Sequence, residues 1–446
     1  MSAVSDHVLK VLAGLPAAGG YWVAYSGGLD SRVLLELLAE RRGALPGPLG
    51  AVHVDHGLHP DAPRWAAHCA GVCRGLGVPL VQLRANAAAN AGDSPEAAAR
   101  RARYGVLADW LPAGHCVLSA HHRDDQAETL LLQLLRGSGP RGLAAMPVAA
   151  PLAGGTLVRP LLEVDRATLA GVAQARGLDW IDDPSNADTD YDRNLLRHQV
   201  MPVLRARWPS ASASLARSAR HCADTAKLAD TLAALDLQAL QGTRPGTLSL
   251  AALRKLAPSR QRNVLRYWLR REGFAVPSAA VLGRILKDIP EARGDAEPRV
   301  CWAAAEVRRY RDQLYVLQAL PSVDRGAEYC WQPDSPLELP ASAGTLEAVP
   351  ATGSGLAARF AGCGRLRVRF RRGGELFRPH GRPHRRALKK LFQEAGVPPW
   401  ERERVPLLYV DGELGAVAGF WVGEGFQASG DEPGIELRWR LWKRCD

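Results

Sequence analysis

Short apolar runs alternate with longer segments of helical periodicity between residues 20 and 215. The runs lie at 21–25, 50–54, 78–83 and 116–119, and each is followed by a segment with helical character. Strands separated by helices form a mostly parallel sheet covered on both faces, because parallel neighbours need a crossover connection. This part of the chain therefore predicts a doubly wound α/β fold.

The length of 446 residues corresponds to two to four domains at roughly 100–200 residues each. We predict an α/β domain over 1–215, a helical domain over 216–320, a linker over 321–358 and a small mixed α+β domain over 359–446. The linker region is rich in Pro, Ser and Gly, and whether it also holds an opening strand is left open.

Composition narrows the class of protein. No apolar run is long enough to span a bilayer, and residues 1–16 lack the features of a signal peptide, so we expect a cytoplasmic protein without a membrane partner. The eight cysteines contain no Cys-x-x-Cys pair, which disfavours a zinc or iron–sulfur site. A formal net charge of +11 favours a polyanionic partner, although a generally basic composition would give the same value.

A glycine-rich loop joins the first apolar run to the helix after it. Its glycines allow a sharp turn and a close approach to a ligand, while N–H groups at the helix start point toward an anion. The serines can donate to phosphate oxygens, and Asp30 would hold magnesium or cap the helix. Two glycines alone would equally suit an ordinary strand–helix joint. We predict a nucleotide-phosphate site formed by Ser26, Gly27, Gly28, Leu29, Asp30 and Ser31.

Polar residues also follow the second strand. His53 and Asp55 lie at its carboxyl end, where doubly wound sheets bind ligands, so we expect both to border the nucleotide. Metal ligation by His53, His56 and His59 is a weaker alternative, because nothing in the spacing fixes their geometry.

Two later helices carry further candidates. Arg100 and Arg103 are three residues apart on one helical face, which suits phosphate binding but equally a solvated basic face. After the fourth strand come His121, Asp125 and Glu128, and the two carboxylates share one face of a helix. Such a pair suits magnesium or a cationic amine, although the helix dipole also favours acids in a first turn.

These motifs resemble the PP-loop ATPases, also called N-type ATP pyrophosphatases, and within them the tRNA(Ile)-lysidine synthase family. The loop lacks the Gly-Lys-Ser/Thr ending of a Walker loop. The resemblance covers nearly the whole chain and is weakest over 216–350. Its matching stretches are 26–31, 54–58, 96–104, 120–139, 180–186, 191–197, 377–382, 388–394, 397–402 and 408–414.

The resemblance implies a ligase that acts on the isoleucine tRNA with a CAU anticodon. ATP would adenylate the C2 carbonyl oxygen of the wobble cytidine and release pyrophosphate. The ε-amine of free L-lysine would then displace AMP, giving lysidine. The implied cofactors are ATP and magnesium, and the implied partners are this tRNA and L-lysine. A homodimer is one option that the sequence leaves open.

The same resemblance assigns catalysis to Asp30, Arg100, His121, Asp125, Glu128 and Arg193. Asp30, with Asp125 as a second option, would position magnesium, and the two arginines would balance charge on phosphates or on the polarised base. The paired carboxylates would attract the lysine ammonium. Either one of them or His121 would take its proton, and the residues alone do not divide these roles.

A basic stripe lies near the C-terminus. Eleven Arg and Lys residues stand against one acid, Glu375, between residues 365 and 390. A run this one-sided indicates a nucleic-acid footprint rather than ordinary solvated surface. We expect tRNA phosphates at Arg371, Arg372, Arg378, Arg382, Arg385, Arg386, Lys389 and Lys390.

Three rival functions remain. A PP-loop enzyme that thiolates tRNA typically carries paired cysteines, which this chain lacks. An amidotransferase-type synthetase acting on a small molecule would leave the basic stripe without a role. A tRNA-binding protein with an inactive nucleotide fold conflicts with the intact loop and carboxylates.

Overall fold

The computed structural model describes residues 2–55, 57, 60–85, 95–293, 296–319, 321–340, 343–362 and 366–440, with only the backbone at 2 and 95–97. The chain divides into two compact units, residues 1–231 and 232–446. In the described part of the chain, no helix is long and apolar enough to cross a membrane.

The first unit alternates helices and strands. Its elements are α1 Ser2–Ala13, β1 Tyr21–Ala24, α2 Leu29–Glu40, β2 Leu49–Asp55, α3 Ala62–Leu76, β3 Leu80–Arg84, α4 Pro95–Trp110, β4 Cys116–Leu118, α5 Arg123–Leu135, α6 Pro140–Leu143, β5 Ala149–Leu152, β6 Gly155–Val158, α7 Arg166–Ala175, α8 Asp192–Leu195, α9 Met201–Arg207 and α10 Ala211–Ala239, which continues past residue 231.

The central sheet of this unit has the strand order β3-β2-β1-β4-β6-β5. Every neighbouring pair is parallel except β5 and β6, which form an antiparallel edge. The predicted doubly wound parallel sheet is therefore confirmed. Between β1 and β4 the chain changes direction across the sheet, and the carboxyl ends of strands at such a point form a ligand crevice. The short β5–β6 hairpin was not predicted.

Helix α2 anchors the loop that precedes it. Val33, Leu34 and Leu35 are fully buried, and so are Leu37 and Leu38 in the next turn. They pack in one core with buried residues of α1 and α7. Because burial of each such side chain contributes about 1.5–3 kcal/mol, the start of α2 is held firmly against the sheet.

The second unit is mainly antiparallel. Its elements after α10 are β7 Leu248–Ser249, α11 Leu250–Arg254, α12 Pro258–Arg271, α13 Ala279–Glu291, β8 Arg299–Trp302, β9 Ala305–Tyr310, β10 Gln313–Gln318, β11 Glu328–Cys330, β12 Leu337–Leu339, β13 Gly344–Thr352, β14 Leu356–Ala357, β15 Leu366–Arg369, β16 Leu376–Phe377, β17 Arg386–Ala387, α14 Leu388–Glu394, α15 Pro399–Arg402, β18 Leu407–Val410, β19 Glu413–Val417, β20 Trp421–Val422 and β21 Pro433–Arg440.

Two sequence expectations differ from this arrangement. The strand predicted over 307–317 is two strands, β9 and β10, which form an antiparallel hairpin with its turn at Arg311. The region predicted as a linker over 321–358 contains strands β11 to β14. The nine-residue strand β13 pairs along its length with β21, a partner more than eighty residues later that local composition cannot reveal.

The helical and mixed parts of the second unit contact each other around Trp400. Arg244 Nη1 donates to both carboxylate oxygens of Glu401 at 2.9 Å. The rings of Tyr310 and Tyr315 lie edge-on to Trp400, with centroids 6.3 and 5.2 Å away. Aromatic pairs of this geometry stabilise a contact beyond simple area burial.

Candidate active site

The loop from Ser26 to Ser31 closes on itself through its serine hydroxyls. Gly28 N donates to Ser26 Oγ at 3.3 Å, and Ser31 Oγ donates to the Gly28 carbonyl at 3.0 Å. Helix α2 begins at Leu29, with Gly28 as an N-cap that has no side chain to satisfy the first N–H groups. These N–H groups form a site suited to an anion such as phosphate.

Gly27 cannot be replaced without displacing a neighbour. Its φ is +88°, and a Cβ would lie 2.6 Å from Ile181 Cδ1 and 3.2 Å from Cys69 Sγ. Its carbonyl accepts a hydrogen bond from Ile181 N at 2.9 Å. Glycine therefore serves both the left-handed backbone and the close packing of the 180–186 segment on the loop.

Asp30 is the carboxylate of the loop. Its Oδ2 lies 3.6 Å from His122 Nε2, while Oδ1 is buried and has no hydrogen-bond partner among the described residues. A buried oxygen of this kind suits a cation. Within the described ranges no trio of His, Cys, Asp or Glu could hold a metal. The unpartnered Oδ1 of Asp30 fits a magnesium ion held by one carboxylate together with phosphates and water, which is how magnesium commonly binds.

His122 connects the loop with helix α5. Its backbone N–H donates to Asp125 Oδ2 at 2.9 Å, and its ring Nδ1 accepts from the backbone N–H of Asp125 at 3.4 Å, so the two residues form a capping box. Burial lowers the pKa of His122, but Asp30 and the other nearby carboxylates outweigh it, and the pKa lies above its usual value. The imidazole thus links Asp30 to Asp125.

Asp125, Glu128, Arg193 and Arg197 form a carboxylate–guanidinium cluster. Asp125 Oδ1 accepts from Arg193 Nη2 at 2.9 Å and from Arg197 Nη2 at 3.0 Å. Glu128 accepts from Arg193 Nε at 3.0 Å and from Arg197 Nε at 2.8 Å, and its side chain is only 1% exposed. Two acids and two cations leave the cluster formally neutral. Arg193, predicted to face phosphate or base, contacts these carboxylates.

Both arginines come from one short segment. Arg193 lies on α8 and Arg197 four residues later in a π-helical turn over Leu196–Val200, a form frequent at functional sites. Asn194 Nδ2 donates to the carbonyls of Ser185 and Asp188 at 3.0 and 2.8 Å. The 180–197 segment therefore contacts the loop at one end and the cluster at the other. Sequence reasoning missed Arg197, whose spacing of four from Arg193 was the available signal.

Asp125 is ionised in this site, whereas His121 is neutral. Burial raises the pKa of Asp125, but His122 and Arg193 outweigh it and hold the pKa well below its usual range, so the carboxylate is ionised. Burial lowers the pKa of His121 to about 3, with Arg193 contributing in the same direction. His121 is therefore a neutral imidazole, and its Nδ1 lies 2.6 Å from Ser119 Oγ.

The other predicted residues of this unit are more dispersed. Arg100 lies on α4 with its Cζ 5.3 Å from the ring centroid of Tyr104. His53 is buried, and its Nδ1 lies 2.9 Å from the Tyr25 carbonyl. Asp55 Oδ1 accepts from Gly57 N at 2.8 Å. Nucleotide contact by His53 and Asp55 stays a prediction. His56 and His59 lie outside the described residues.

Many basic residues of the C-terminal stripe pair with acids from elsewhere in the sequence. Arg386 Nη2 lies 2.5 Å from Glu394 Oε1, and Arg382 Nη1 lies 3.4 Å from Glu394 Oε2. Arg385 Nη2 lies 3.1 Å from Glu413 Oε1. A count between 365 and 390 could not include these acids, so the free positive charge is smaller than the sequence indicated.

Arg367 and Arg369 of the stripe pair with Glu328. The other five of the eight residues expected at tRNA phosphates fall into two groups. Arg371 lies 3.4 Å from Glu375, while Arg372 and Arg378 donate to backbone carbonyls, both at 2.8 Å. Lys389 and Lys390 are exposed and make no ion pair within the described part of the chain. These two lysines are therefore the stripe's most available cations, while Arg365 lies outside the described residues.

Three family models match the chain: a PP-loop domain over residues 3–204, a TilS substrate binding domain over 248–315 and a TilS substrate C-terminal domain over 366–439. The chain is 45% identical to the tRNA(Ile)-lysidine synthase of Methylococcus capsulatus, over 96% of this chain and 98% of that protein. The same-named protein of Coxiella burnetii is 41% identical over 96% and 95%, respectively. That of Alkalilimnicola ehrlichii is 45% identical over 97% and 96%.

Proposed function

The chain belongs to the tRNA(Ile)-lysidine synthase family, and from that premise we propose that it joins free L-lysine to the wobble cytidine of a CAU-anticodon isoleucine tRNA. The observation that carries this proposal is the position of two groups at one edge of the sheet. His122 lies 3.6 Å from Asp30 of the phosphate loop and 3.4 Å from Asp125 of the carboxylate–guanidinium cluster. Adenylation of the base at the phosphate loop and attack by lysine at the carboxylate–guanidinium cluster would thus take place in one crevice.

The first step transfers AMP to the base. The C2 carbonyl oxygen of cytidine attacks the α-phosphorus of ATP, and the bond to pyrophosphate breaks. The uncapped N–H groups at the start of α2 hold the phosphates, because a helix N-terminus favours negative charge. Asp30, whose Oδ1 lacks a partner among described residues, would hold magnesium there, and the ion would neutralise charge on the leaving pyrophosphate.

The second step forms the carbon–nitrogen bond. The ε-nitrogen of lysine attacks C2, the C2–O bond breaks, and AMP leaves. Asp125 and Glu128 attract the lysine ammonium, but the arginines already occupy both carboxylates. The ammonium must therefore share or displace those contacts, so the cluster positions the amine without presenting free negative charge.

The neutral state of His121 bears on where the amine proton goes. With a pKa of about 3, the free imidazole accepts a proton far less readily than an ordinary histidine. Asp125 is no better an acceptor in the free enzyme, because His122 and Arg193 hold its pKa well below its usual range. We infer that His121 acts as a hydrogen-bonding group in the free enzyme and takes the amine proton once phosphates are bound. Phosphates bound nearby would oppose the effect of Arg193 on the histidine and raise its pKa.

We further propose that the exposed Lys389 and Lys390 contact tRNA phosphates, with the arginines of the stripe as weaker contributors because acids already pair with several of them. Phosphate contacts position a nucleic acid without reading its sequence. As tRNA and ATP are cytoplasmic substrates, we place the enzyme in the cytoplasm.

Incorporation of labelled lysine tests the proposal. The full chain is incubated with ATP, magnesium, labelled lysine and the CAU-anticodon isoleucine tRNA transcript, and label in tRNA and release of pyrophosphate are both measured. We expect label that depends on ATP and on the wobble cytidine. Pyrophosphate release without label would move the nucleophile elsewhere and contradict the lysine assignment.

Paired variants sharpen this test. Glu128→Gln keeps the shape of the side chain and removes its charge, and we expect lysine incorporation to fall at least about 100-fold, the usual scale for a positioned ionic group. Glu163→Gln is the matched control, because Glu163 is exposed and its carboxylate pairs with the exposed Arg220. Equal activity of the two variants would contradict the role given to Glu128.

A further inference from the structure

Arg159 is a buried cation that the mechanism above does not use. It directly follows β6, at the carboxyl edge of the sheet, and is only 6% exposed. Its Nη1 donates to the Pro147 carbonyl at 2.8 Å, while Nε is buried without a hydrogen-bond partner among the described residues. No described carboxylate forms an ion pair with it.

The surroundings of Arg159 add positive charge. The Tyr104 hydroxyl lies beside its guanidinium, and Arg100 lies 5.3 Å from the Tyr104 ring. Burial lowers the pKa of Arg159, as expected of a cation without an anion. A buried charge is costly unless an opposite charge meets it, so this site is suited to an anion supplied by a ligand.

The strand order separates this site from the phosphate loop. The loop follows β1, whereas Arg159 follows β6, two strands away in the order β1-β4-β6. Neighbouring strands are about 4.8 Å apart, so these two strands are about 10 Å apart. The carboxylate–guanidinium cluster begins on α5, the helix that follows β4, and β4 lies between β1 and β6. His121, between β4 and α5, also feels the charge of Arg159.

The proposed mechanism leaves two groups of lysine without a partner, its α-ammonium and its α-carboxylate, and of these the α-carboxylate is the anion. We propose that Arg159 receives the α-carboxylate of the amino-acid substrate, an assignment that rests on the proposed function. The guanidinium fork matches a carboxylate in two parallel hydrogen bonds, and Nε is one of the donors available for it. Arg159 would then select an amino acid over an amine that lacks a carboxylate.

Lysine and lysinamide distinguish this assignment from a phosphate contact. Lysinamide keeps both amines and replaces the carboxylate with a neutral amide. In Arg159→Met we expect kcat/KM for lysine to fall about 10- to 100-fold, the scale of a lost charge-assisted contact, with the value for lysinamide nearly unchanged. The ratio of the two values should therefore approach one, while KM for ATP stays within about twofold of the unmodified enzyme.

Arg176→Met is the control, because Arg176 already pairs with Glu40, and it should keep the ratio unchanged. If Arg159→Met does not fold, the same two substrates are measured with Arg159→Lys. A reduced lysine-to-lysinamide ratio of kcat/KM supports the assignment, and an unchanged ratio overturns it. If Arg159→Met leaves the lysine-to-lysinamide ratio unchanged and raises KM for ATP or tRNA, the carboxylate assignment is also overturned, and Arg159 contacts a phosphate instead. If the unmodified enzyme incorporates no lysine, the proposed function fails instead.

Discussion

Glu128→Gln should destabilise the first unit strongly, because Glu128 neutralises two guanidiniums. Its carboxylate accepts hydrogen bonds from Arg193 Nε at 3.0 Å, from Arg197 Nε at 2.8 Å and from Arg197 Nη2 at 2.9 Å. Glutamine offers one oxygen instead of two and directs an NH2 group toward these donors. Both arginines would then share the single carboxylate of Asp125.

The expected magnitude follows from burial. Removing one partner of a buried ion pair typically costs about 3–5 kcal/mol. Glu128 is 1% exposed, but Arg193 and Arg197 are 15% and 28% exposed, so water relieves part of the cost. We therefore expect the free energy of unfolding to fall by about 3 kcal/mol. For a unit of 231 residues this lowers Tm by about 6–12 °C.

Differential scanning calorimetry of the full chain measures this change, provided that the transitions of the two units are resolved. Glu163→Gln makes the same chemical change at a side chain that is 58% exposed, and it should alter stability by no more than about 0.5 kcal/mol. Equal Tm shifts for the two variants would refute the reasoning that the buried charge stabilises the cluster.

Three further predictions concern other parts of the chain. Gly27→Ala should lower ATP-dependent pyrophosphate release, because alanine is strained at a φ of +88° and its Cβ would displace the Ile181 side chain; normal release would contradict the loop geometry described. His121 has a folded-state pKa of about 3 against an unfolded value near 6.5, so below pH 6.5 only the unfolded chain gains the proton. The stability that the neutral His121 contributes is therefore present above pH 6.5 and is lost toward pH 3, at up to about 1.4 kcal/mol per pH unit. Denaturant titrations at several pH values should therefore show that the free energy of unfolding of His121→Asn depends less steeply on pH than that of the unmodified chain. Replacing Lys389 and Lys390 with alanine should reduce the slope of log K for tRNA binding against log salt by about 1 to 2, and an unchanged slope would exclude them as phosphate contacts.

The parts of the fold that depend on local pattern could be predicted from the sequence. The strand–loop–helix joint at Ser26–Ser31 is local, because its glycines, serines and the buried stripe of α2 lie next to one another. The same holds for Asp125 and Glu128, which share one face of α5. The periodicity of the strands and helices was enough to place the loop and this carboxylate pair at the same edge of the sheet.

What the sequence could not show are the partners of charged groups across long separations. Arg197 lies 69 residues from Glu128, and nothing local indicates that the two would meet. Arg159 looks like an ordinary residue at a strand end until its burial is known. The pairing of Arg385 with Glu413 likewise joins residues 28 apart, so a count along the stripe overestimated its free charge.

The antiparallel pairing of β13 with β21 has a consequence for synthesis of the chain. Residues 345–352 pair with 433–440, so nearly all of the C-terminal region is made between these two strands. Until β21 has emerged from the ribosome, β13 presents unpaired N–H and C=O groups, which are prone to pair with other chains. Translation that stops before residue 433 should therefore yield not a shortened enzyme but an aggregating one, even though the nucleotide-binding unit has already been synthesised.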